Sequence, residues 1–153
     1  MTSKLSIMFY SVLLLASASA STRATWLTTY DDAIKSLDSA VSTLTYFQGL
    51  GITKVYVSVW NNGNLYANSS TYQNLVGYQN ADYLGNVVDA ARQVGGISVV
   101  AWFEYGNMAG YAGVQNAFAK NAQQKGWLIG NGQLAHNFVW LDPGNADAAN
   151  FLV

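Results

Sequence analysis

The chain has 153 residues and a formal net charge of −1 at pH 7; 51% of its residues are hydrophobic and only 10% are charged. This composition favours a packed core over a disordered chain, and the near balance of charges argues against a basic, nucleic-acid-binding surface. The chain contains no cysteine, which excludes disulfides, thiol nucleophiles and cysteine-ligated zinc.

The first twenty residues differ in composition from the rest. Lys4 gives a short positive start, residues 5–15 are mostly apolar, and residues 16–20 read ASASA. This order is typical of a secretory signal peptide, and about 11 apolar residues are too few to cross roughly 30 Å of hydrocarbon. We therefore predict a signal peptide at 1–20, a secreted, extracellular protein, and no membrane association once the signal is removed.

The first strand and helix follow the signal peptide. Residues 24–29 (ATWLTT) form a candidate strand. Apolar residues at helical spacing from Ile34 to Phe47 predict a helix, with Asp31 or Asp32 as its N-cap and the glycines after Phe47 as its end.

The middle of the chain repeats this alternation. Residues 54–60 (KVYVSVW) are β-branched and aromatic and predict a second strand, whereas the polar residues 61–80 predict a long loop. An amphipathic helix over 84–94 leads through two glycines to a third strand at 97–103. A weaker helix is predicted at 114–124.

A last apolar run at 138–141 is interrupted by Asp142-Pro143-Gly144, after which another helix is predicted to begin at Asn145. The order of elements is strand, helix, strand, helix, strand, helix. Because the second and third strands are almost continuously apolar, both sheet faces are expected to be covered, as in a parallel α/β sheet.

Parallel α/β sheets bind ligands at the carboxyl ends of their strands. At these positions the sequence changes abruptly from apolar to polar and aromatic, at Tyr30, Asn61 and Glu104. No G-x-G-x-x-G follows the first strand and no G-x-x-x-x-G-K-[ST] occurs, so a nucleotide-binding domain is disfavoured.

Four stretches occur together in the order of one known family: WLTTYDD (26–32), VYVSVWNNG (55–63), VVAWFEYGNMA (99–109) and FVWLDPGN (138–145). In these stretches the chain resembles the glycoside hydrolase-like 10 family, secreted or envelope proteins built on a (β/α)₈ barrel. The resemblance implies an α/β fold that is the N-terminal portion of a TIM barrel, with parallel strands alternating with helices.

A complete barrel needs eight strands and about 250 residues, and this sequence contains three clear units and the beginning of another. The expectation is therefore a signal peptide at 1–20 and an incomplete glycoside hydrolase-like (β/α) barrel domain at 21–153. The family's later pattern carries a pair of acids at the end of the next strand, so the second catalytic carboxylate is expected beyond Val153.

The resemblance implies a hydrolase that acts on the glycosidic bonds of a polysaccharide or oligosaccharide, for which a cell-wall glycan is one candidate. Two alternatives remain open: a non-catalytic carbohydrate-binding remnant, and an unstable fragment without independent function. No cofactor and no metal are expected, because His136 is the only histidine and the chain lacks cysteine.

Glu104 is the only glutamate of the chain, and it lies where a buried strand ends. Glycosidic bonds are cleaved by two carboxyl groups on opposite sides of the anomeric carbon, and the aromatic neighbours Phe103 and Tyr105 provide the apolar surroundings in which a general acid works. The alternative is a structural role, either as a cap or in a salt bridge to Arg23 or Arg92. We predict Glu104 as the catalytic residue.

Three polar residues are predicted to bind substrate. Asp31 matches the family's acid after the first strand, although it also fits a helix N-cap. Asn61 has the chemistry to hydrogen-bond a sugar hydroxyl, or it is a turn residue. Asp142 has the sequence context of a turn and cap, whereas the resemblance favours a place near the cleft.

Aromatic side chains at the same strand ends are expected to form sugar subsites, because the C–H faces of sugars stack on aromatic rings. Tyr30, Trp60 and Tyr105 are the candidates, and core packing is the alternative. Asn68 begins an N-x-S sequon in a polar stretch and is predicted to be glycosylated.

Overall fold

The computed structural model describes residues 22–133 and 137–152, so the predicted signal peptide and His136 lie outside the described residues. The strands of the described chain are β1 (Ala24–Leu27), β2 (Lys54–Asn61), β3 (Asn64–Leu65), β4 (Ser98–Phe103), β5 (Met108–Gly110) and β6 (Val139–Trp140). The α-helices are α1 (Leu37–Gly49), α2 (Ser70–Val76), α3 (Tyr83–Val94), α4 (Ala117–Gln124) and α5 (Ala146–Phe151). Short 3-10 helices lie at Asp32–Ile34 and Ile129–Gly132.

The three predicted strands form one parallel sheet. β2 lies in the centre, with β1 on one side and β4 on the other, so that Val55 is aligned with both Thr25 and Val99. This adjacency confirms the parallel arrangement expected from alternating strands and helices. β3 adds a short antiparallel pairing at the end of β2.

Helices α1 and α3, which connect these parallel strands, cover the same face of the sheet. Val55, Val57 and Val59 of β2 are buried in one cluster with Leu44 of α1 and Val87 of α3. Burying each such side chain stabilises the fold by about 1.5–3 kcal/mol. The apolar positions of β2 therefore attach both helices to one side of the sheet. The expectation that both faces are covered is wrong for β4 within the described residues, because its Ser98, Ala101 and Phe103 are exposed.

A second apolar cluster surrounds Trp60 and packs α2, α4 and α5 against the carboxyl end of β2. The ring of Phe118 meets the indole edge-on at a centroid distance of 4.9 Å, and Tyr72 of α2 contacts the same indole edge-on at 6.2 Å. These contacts fill the space beyond the strand ends on one side of β4.

The prediction of a long loop over 61–80 is wrong. β2 continues to Asn61, a turn through Gly63 leads into β3, and Ser69 caps α2 by accepting a hydrogen bond from the backbone N–H of Tyr72. Polar composition concealed this helix, because its formation depends on one buried anchor, Tyr72, and on its cap.

The predicted start of the first helix is also wrong. A 3-10 turn occupies Asp32–Ile34, and α1 begins later, with Ser36 as its N-cap accepting from the N–H of Ser39. Asp31 makes no side-chain capping bond.

The apolar run at 138–141 does not join the parallel sheet. Its residues Val139–Trp140 form β6, which pairs antiparallel with β5 in a separate two-stranded sheet. The predicted helix start at Asn145 is confirmed, since its side chain caps α5.

Candidate functional site

Glu104 follows β4 and projects toward the end of the central strand β2. Its Oε2 accepts hydrogen bonds from the Asn61 amide Nδ2 at 2.8 Å and from the Ser58 hydroxyl at 3.2 Å. Ser58 is fully buried and Asn61 is 9% exposed, whereas the described part of the chain provides no donor to Oε1. One oxygen of the carboxylate is therefore held by two side chains of β2.

An irregularity in the sheet explains how two residues of one strand reach the same oxygen. In a regular strand, residues three apart point to opposite faces. The pairing of β2 with β4 shifts register between Ser58 and Trp60, and such a bulge re-aims the side chains that follow it. Asn61 consequently joins Ser58 beside the carboxylate of Glu104.

The backbone after Glu104 is held in an unusual conformation. Tyr105 and Gly106 both have a φ of 57°, a left-handed value that is sterically costly for a tyrosine. Such strain persists where the surrounding structure requires it and is common at ligand sites. Here it turns the chain sharply and leaves the Tyr105 side chain 62% exposed next to the carboxylate.

Glu104 and Asn61 lie in the wall of an open cleft of about 350 Å³. The other lining residues are apolar or aromatic: Tyr30, Tyr105, Met108, Tyr111, Phe138 and Trp140. Glu104 is thus the one carboxylate that the described residues place in this cleft, and most of the other lining residues are aromatic.

The small sheet formed by β5 and β6 builds the far wall. Trp140 lies opposite Met108 in this pairing, and the indole Nε1 of Trp60 donates to the backbone carbonyl of Met108 at 2.9 Å. The Asn107 amide donates to the carbonyl of Leu141 at 2.6 Å. The core therefore fixes the position of this wall relative to the parallel sheet.

The loop that carries Tyr111 is held by two asparagines. Asn62 Oδ1 accepts from the backbone N–H of Tyr111 at 2.9 Å. The amide of Asn116 donates to the carbonyls of Asn62 and Ala109 at 3.0 and 2.8 Å, and its Oδ1 also caps α4. The aromatic wall is thus tied to the β2–β3 turn.

Comparison with known protein families assigns the chain to one of them. A family model described as glycosyl hydrolase-like 10 matches residues 21–153. The chain belongs to this family. A search of curated proteins returned no match. Family membership confirms the resemblance carried by the four sequence stretches and makes the protein glycosidase-like.

Of the predicted site residues of this glycosyl hydrolase-like protein, four meet in the cleft: Glu104, Asn61, Tyr30 and Tyr105. The structural alternative of an ion pair for Glu104 does not occur. Arg23 instead donates to the carbonyl of Leu50, and Arg92 pairs with Asp89 at 2.9 Å.

Asp31 is not part of the cleft wall, although its neighbour Tyr30 is. Its Oδ2 accepts from the backbone N–H of Thr28 at 2.6 Å and from the Thr28 hydroxyl at 3.1 Å. The carboxylate therefore stabilises the turn after β1. The predicted side-chain cap is not formed, and the substrate contact stays a prediction.

Two further residues that were predicted to bind substrate, Trp60 and Asp142, lie in the core and in a turn. Trp60 is 1% exposed and packs in the core, so a sugar has no access to the face of its ring. Asp142 lies outside the cleft lining and accepts from the backbone N–H of Gly144 at 2.8 Å, as a turn residue does. The alternatives of core packing and of a turn describe these two residues correctly.

Asn68 lies immediately before the N-cap of α2 and is exposed. Its side-chain oxygen contacts the amide of Gln79. The sequon is accessible at the surface of the molecule, away from the residues that line the cleft.

Sequence reasoning missed Ser58, Met108, Tyr111, Phe138 and Trp140. Ser58 carried a usable signal, because it is a single hydroxyl in the apolar run VYVSVW. Met108 and Trp140 lie in the short strands β5 and β6, and Tyr111 and Phe138 are adjacent to these strands. Strands of two or three residues are too short to show a period that indicates which side chains face a ligand. Within the described residues, no cluster of His, Asp or Glu has the arrangement of a metal site, and no helix is long and apolar enough to span a membrane.

Proposed function

We propose that this glycosyl hydrolase-like protein binds a polysaccharide or oligosaccharide in the Glu104 cleft and hydrolyses its glycosidic bonds. The observation that carries the proposal is the position of Glu104 at the carboxyl end of a parallel strand, held by Ser58 and Asn61, in a cleft lined by aromatic rings. Active sites of parallel (β/α) folds lie at this end of the strands.

In the proposed reaction Glu104 is one of the two carboxyl groups that glycoside hydrolysis needs. Its Oε1 faces the substrate, while the bonds to Oε2 fix the orientation of the group. The Asn61 amide has a second N–H available for a sugar hydroxyl. Tyr105 and Trp140 offer ring faces for the C–H surfaces of neighbouring sugar units.

The barrel prediction is kept as part of this proposal. Both connecting helices pack on the same face of the sheet, as in a singly wound barrel, whereas a doubly wound sheet carries helices on both faces. Ser58 points away from the valine cluster and toward Glu104, which is the side that would be the interior of a (β/α)₈ barrel.

A second candidate function is carbohydrate binding without hydrolysis. The observation that favours it is that the described residues bring one carboxylate into the cleft, since Asp31 and Asp142 are occupied in turns. Both candidates require a glycan in the same cleft and differ in whether a bond is cleaved.

Secretion and glycosylation are also proposed. The sequence supports them through the signal-like segment at 1–20 and through the sequon at Asn68. The exposure of Asn68 is compatible with an attached glycan. Mass spectrometry of secreted protein is expected to find a mature N-terminus at Ser19 or Ser21 and a glycan on Asn68.

The function is tested with fluorescently labelled hexasaccharides of β-1,4-linked glucose and of β-1,4-linked N-acetylglucosamine. Binding is measured by calorimetry, and products are separated by electrophoresis over hours. Binding with shorter products that disappear in Glu104→Gln supports the hydrolase. Binding without products supports the second candidate, and no binding to either sugar contradicts both.

A further inference from the structure

The distribution of charge around the cleft indicates which glycans it accepts. Glu104 contributes a negative charge, and the other side chains of the wall are uncharged. Six basic residues lie within the described residues: Arg23, Lys35, Lys54, Arg92, Lys120 and Lys125. None of these six belongs to the cleft wall.

Two of the basic residues lie at the opposite end of the parallel strands from the cleft. Lys54 begins β2 and Asn61 ends it, so the two are separated by about 23 Å at a rise of roughly 3.3 Å per residue. Arg23 lies at the same distant edge of the sheet, where it donates to the carbonyl of Leu50. The strand ends opposite the cleft thus carry positive charge.

The remaining four cations lie in helices or directly after them. Lys35 pairs with Asp32 at 2.7 Å, Arg92 pairs with Asp89, and Lys125 lies over the ring of Trp127 at 5.4 Å. Lys120 is an exposed residue of α4. None of the described cations therefore lies in the cleft wall beside Glu104.

Sites that recognise carboxylates, sulfates or phosphates place arginine or lysine against them. This cleft has the opposite arrangement, because a carboxyl group is fixed in its wall and the other lining side chains are uncharged. A sugar acid in this cleft would lose its hydration without gaining a positive partner.

We propose that the cleft selects glycans whose sugar units carry no carboxylate, sulfate or phosphate group. This inference rests on the proposed function, since it names the class of substrate for the same site. Glu104 is then a specificity-determining residue for charge as well as the proposed catalytic residue.

The test uses pairs of ligands that differ only in charge. The hexasaccharides of β-1,4-linked glucose and N-acetylglucosamine are compared with the same compounds oxidised at C6 to uronic acids, and dissociation constants are measured by calorimetry. At 10 mM salt, where the Debye length is about 30 Å, the neutral member of a pair is expected to bind about tenfold more tightly or better. Raising the salt to 1 M is expected to reduce this ratio, because charges are then screened over about 3 Å.

Three variants assign the effect to the cleft. Glu104→Gln keeps an acceptor for Asn61 and Ser58 but removes the charge, and is expected to reduce the ratio to about threefold or less. Asp38→Asn removes the same charge from exposed α1 and is expected to leave the ratio unchanged. Tyr111→Ala shortens the aromatic wall and is expected to weaken both members of a pair equally.

The possible outcomes distinguish a failure of charge selection from a failure of glycan binding. Equal or tighter binding of an oxidised hexasaccharide would overturn the inference while leaving glycan binding intact. A ratio that is the same in Glu104→Gln as in the wild-type protein would also overturn it, because the selection would then arise elsewhere. If neither the neutral nor the oxidised sugars bind, the proposed function itself fails, and the inference fails with it.

Discussion

The side-chain amide of Asn61 donates to Oε2 of Glu104 over 2.8 Å and thereby joins the carboxyl ends of β2 and β4. Ser58, which is buried three residues earlier in β2, donates to the same oxygen. Because both donors come from the central strand, the most constrained element of the sheet, the carboxylate is oriented before any ligand arrives. Preorganisation of this kind is what a catalytic or binding carboxylate requires.

Glu104→Gln tests the catalytic role of the carboxylate. Glutamine preserves the shape and can still accept from Asn61 and Ser58, but it supplies neither a negative charge nor a transferable proton. We expect turnover of a cleaved glycan to fall by about 10²- to 10⁴-fold with little change in melting temperature. A large loss of melting temperature with near-normal turnover of the folded protein would assign Glu104 a structural role.

Asn61→Asp tests the hydrogen bond between Asn61 and Glu104 by changing the donor residue. It replaces a donor with a second carboxylate at hydrogen-bonding distance from Oε2, and two such groups resist simultaneous ionisation. We expect the free energy of unfolding at pH 7 to fall below that of the wild-type protein and to recover partly on acidification toward pH 4. If the free energies of unfolding of the variant and the wild-type protein change in parallel between pH 4 and pH 7, residue 61 does not contact Glu104.

Trp60→Phe separates the structural role of this residue from the predicted sugar contact. Phenylalanine retains the aromatic packing with Phe118 but loses the donor to the Met108 carbonyl. Leaving that buried carbonyl unpaired is expected to cost about 1–3 kcal/mol in urea unfolding. Glycan affinity of the folded fraction should change less than in Tyr105→Ala, whereas a selective loss of affinity in Trp60→Phe would restore its role as a subsite.

The parts of the fold that the sequence predicted correctly are those set by local patterns. The apolar run at 54–60 belongs to the buried central strand β2, whereas the run at 97–103 forms β4, in which Ser98, Ala101 and Phe103 are exposed. Both runs are recognisable as strands, and they place Asn61 and Glu104 at neighbouring strand ends. Ser58 and Asn61 reach the same oxygen of Glu104 because of a bulge in β2. The hydrophobic periodicity of the sequence does not predict a bulge. Trp60 shows the same limit, since an aromatic residue at a strand end has an identical sequence signature whether its ring faces the cleft or the core.

Gly63→Ala tests the turn between β2 and β3, to which the backbone of Tyr111 is hydrogen-bonded through Asn62. Gly63 has a φ of +71°, and an added Cβ would clash with the carbonyl oxygen of Ala109 and approach the Asn116 side chain to 2.9 Å. We expect a loss of about 2–4 kcal/mol of stability in urea unfolding, from the left-handed backbone and the clash together.

The matched control for this turn is Gly77→Ala. Gly77 also has a positive φ, +82°, but a Cβ there meets nothing within 4 Å. Its substitution is expected to cost only the backbone contribution, about 1–2 kcal/mol. Equal losses in the two alanine variants would show that the close approach of Gly63 to Ala109 is not stabilising the wall.

The alkaline limit of stability is expected to depend on Tyr72. Burial, together with the neighbouring Tyr78, raises the pKa of the Tyr72 phenol well above its ordinary value of 10.0, and its hydroxyl donates to the Gly63 carbonyl at 2.9 Å. The unfolded chain therefore releases this proton near pH 10 while the folded protein retains it. The stabilisation is fully present below pH 10 and is lost as the pH rises from there toward the folded pKa, by up to about 1.4 kcal/mol per pH unit.

Urea unfolding between pH 8 and pH 11 measures this slope. Tyr72→Phe is expected to be less stable at pH 8, because it lacks the bond to Gly63, but to lose less stability above pH 10 than the wild-type protein. Tyr46→Phe, which removes an exposed phenol, is the control. If the alkaline slopes of Tyr72→Phe and the wild-type protein coincide, Tyr72 is not buried as a neutral phenol in the cluster around Trp60.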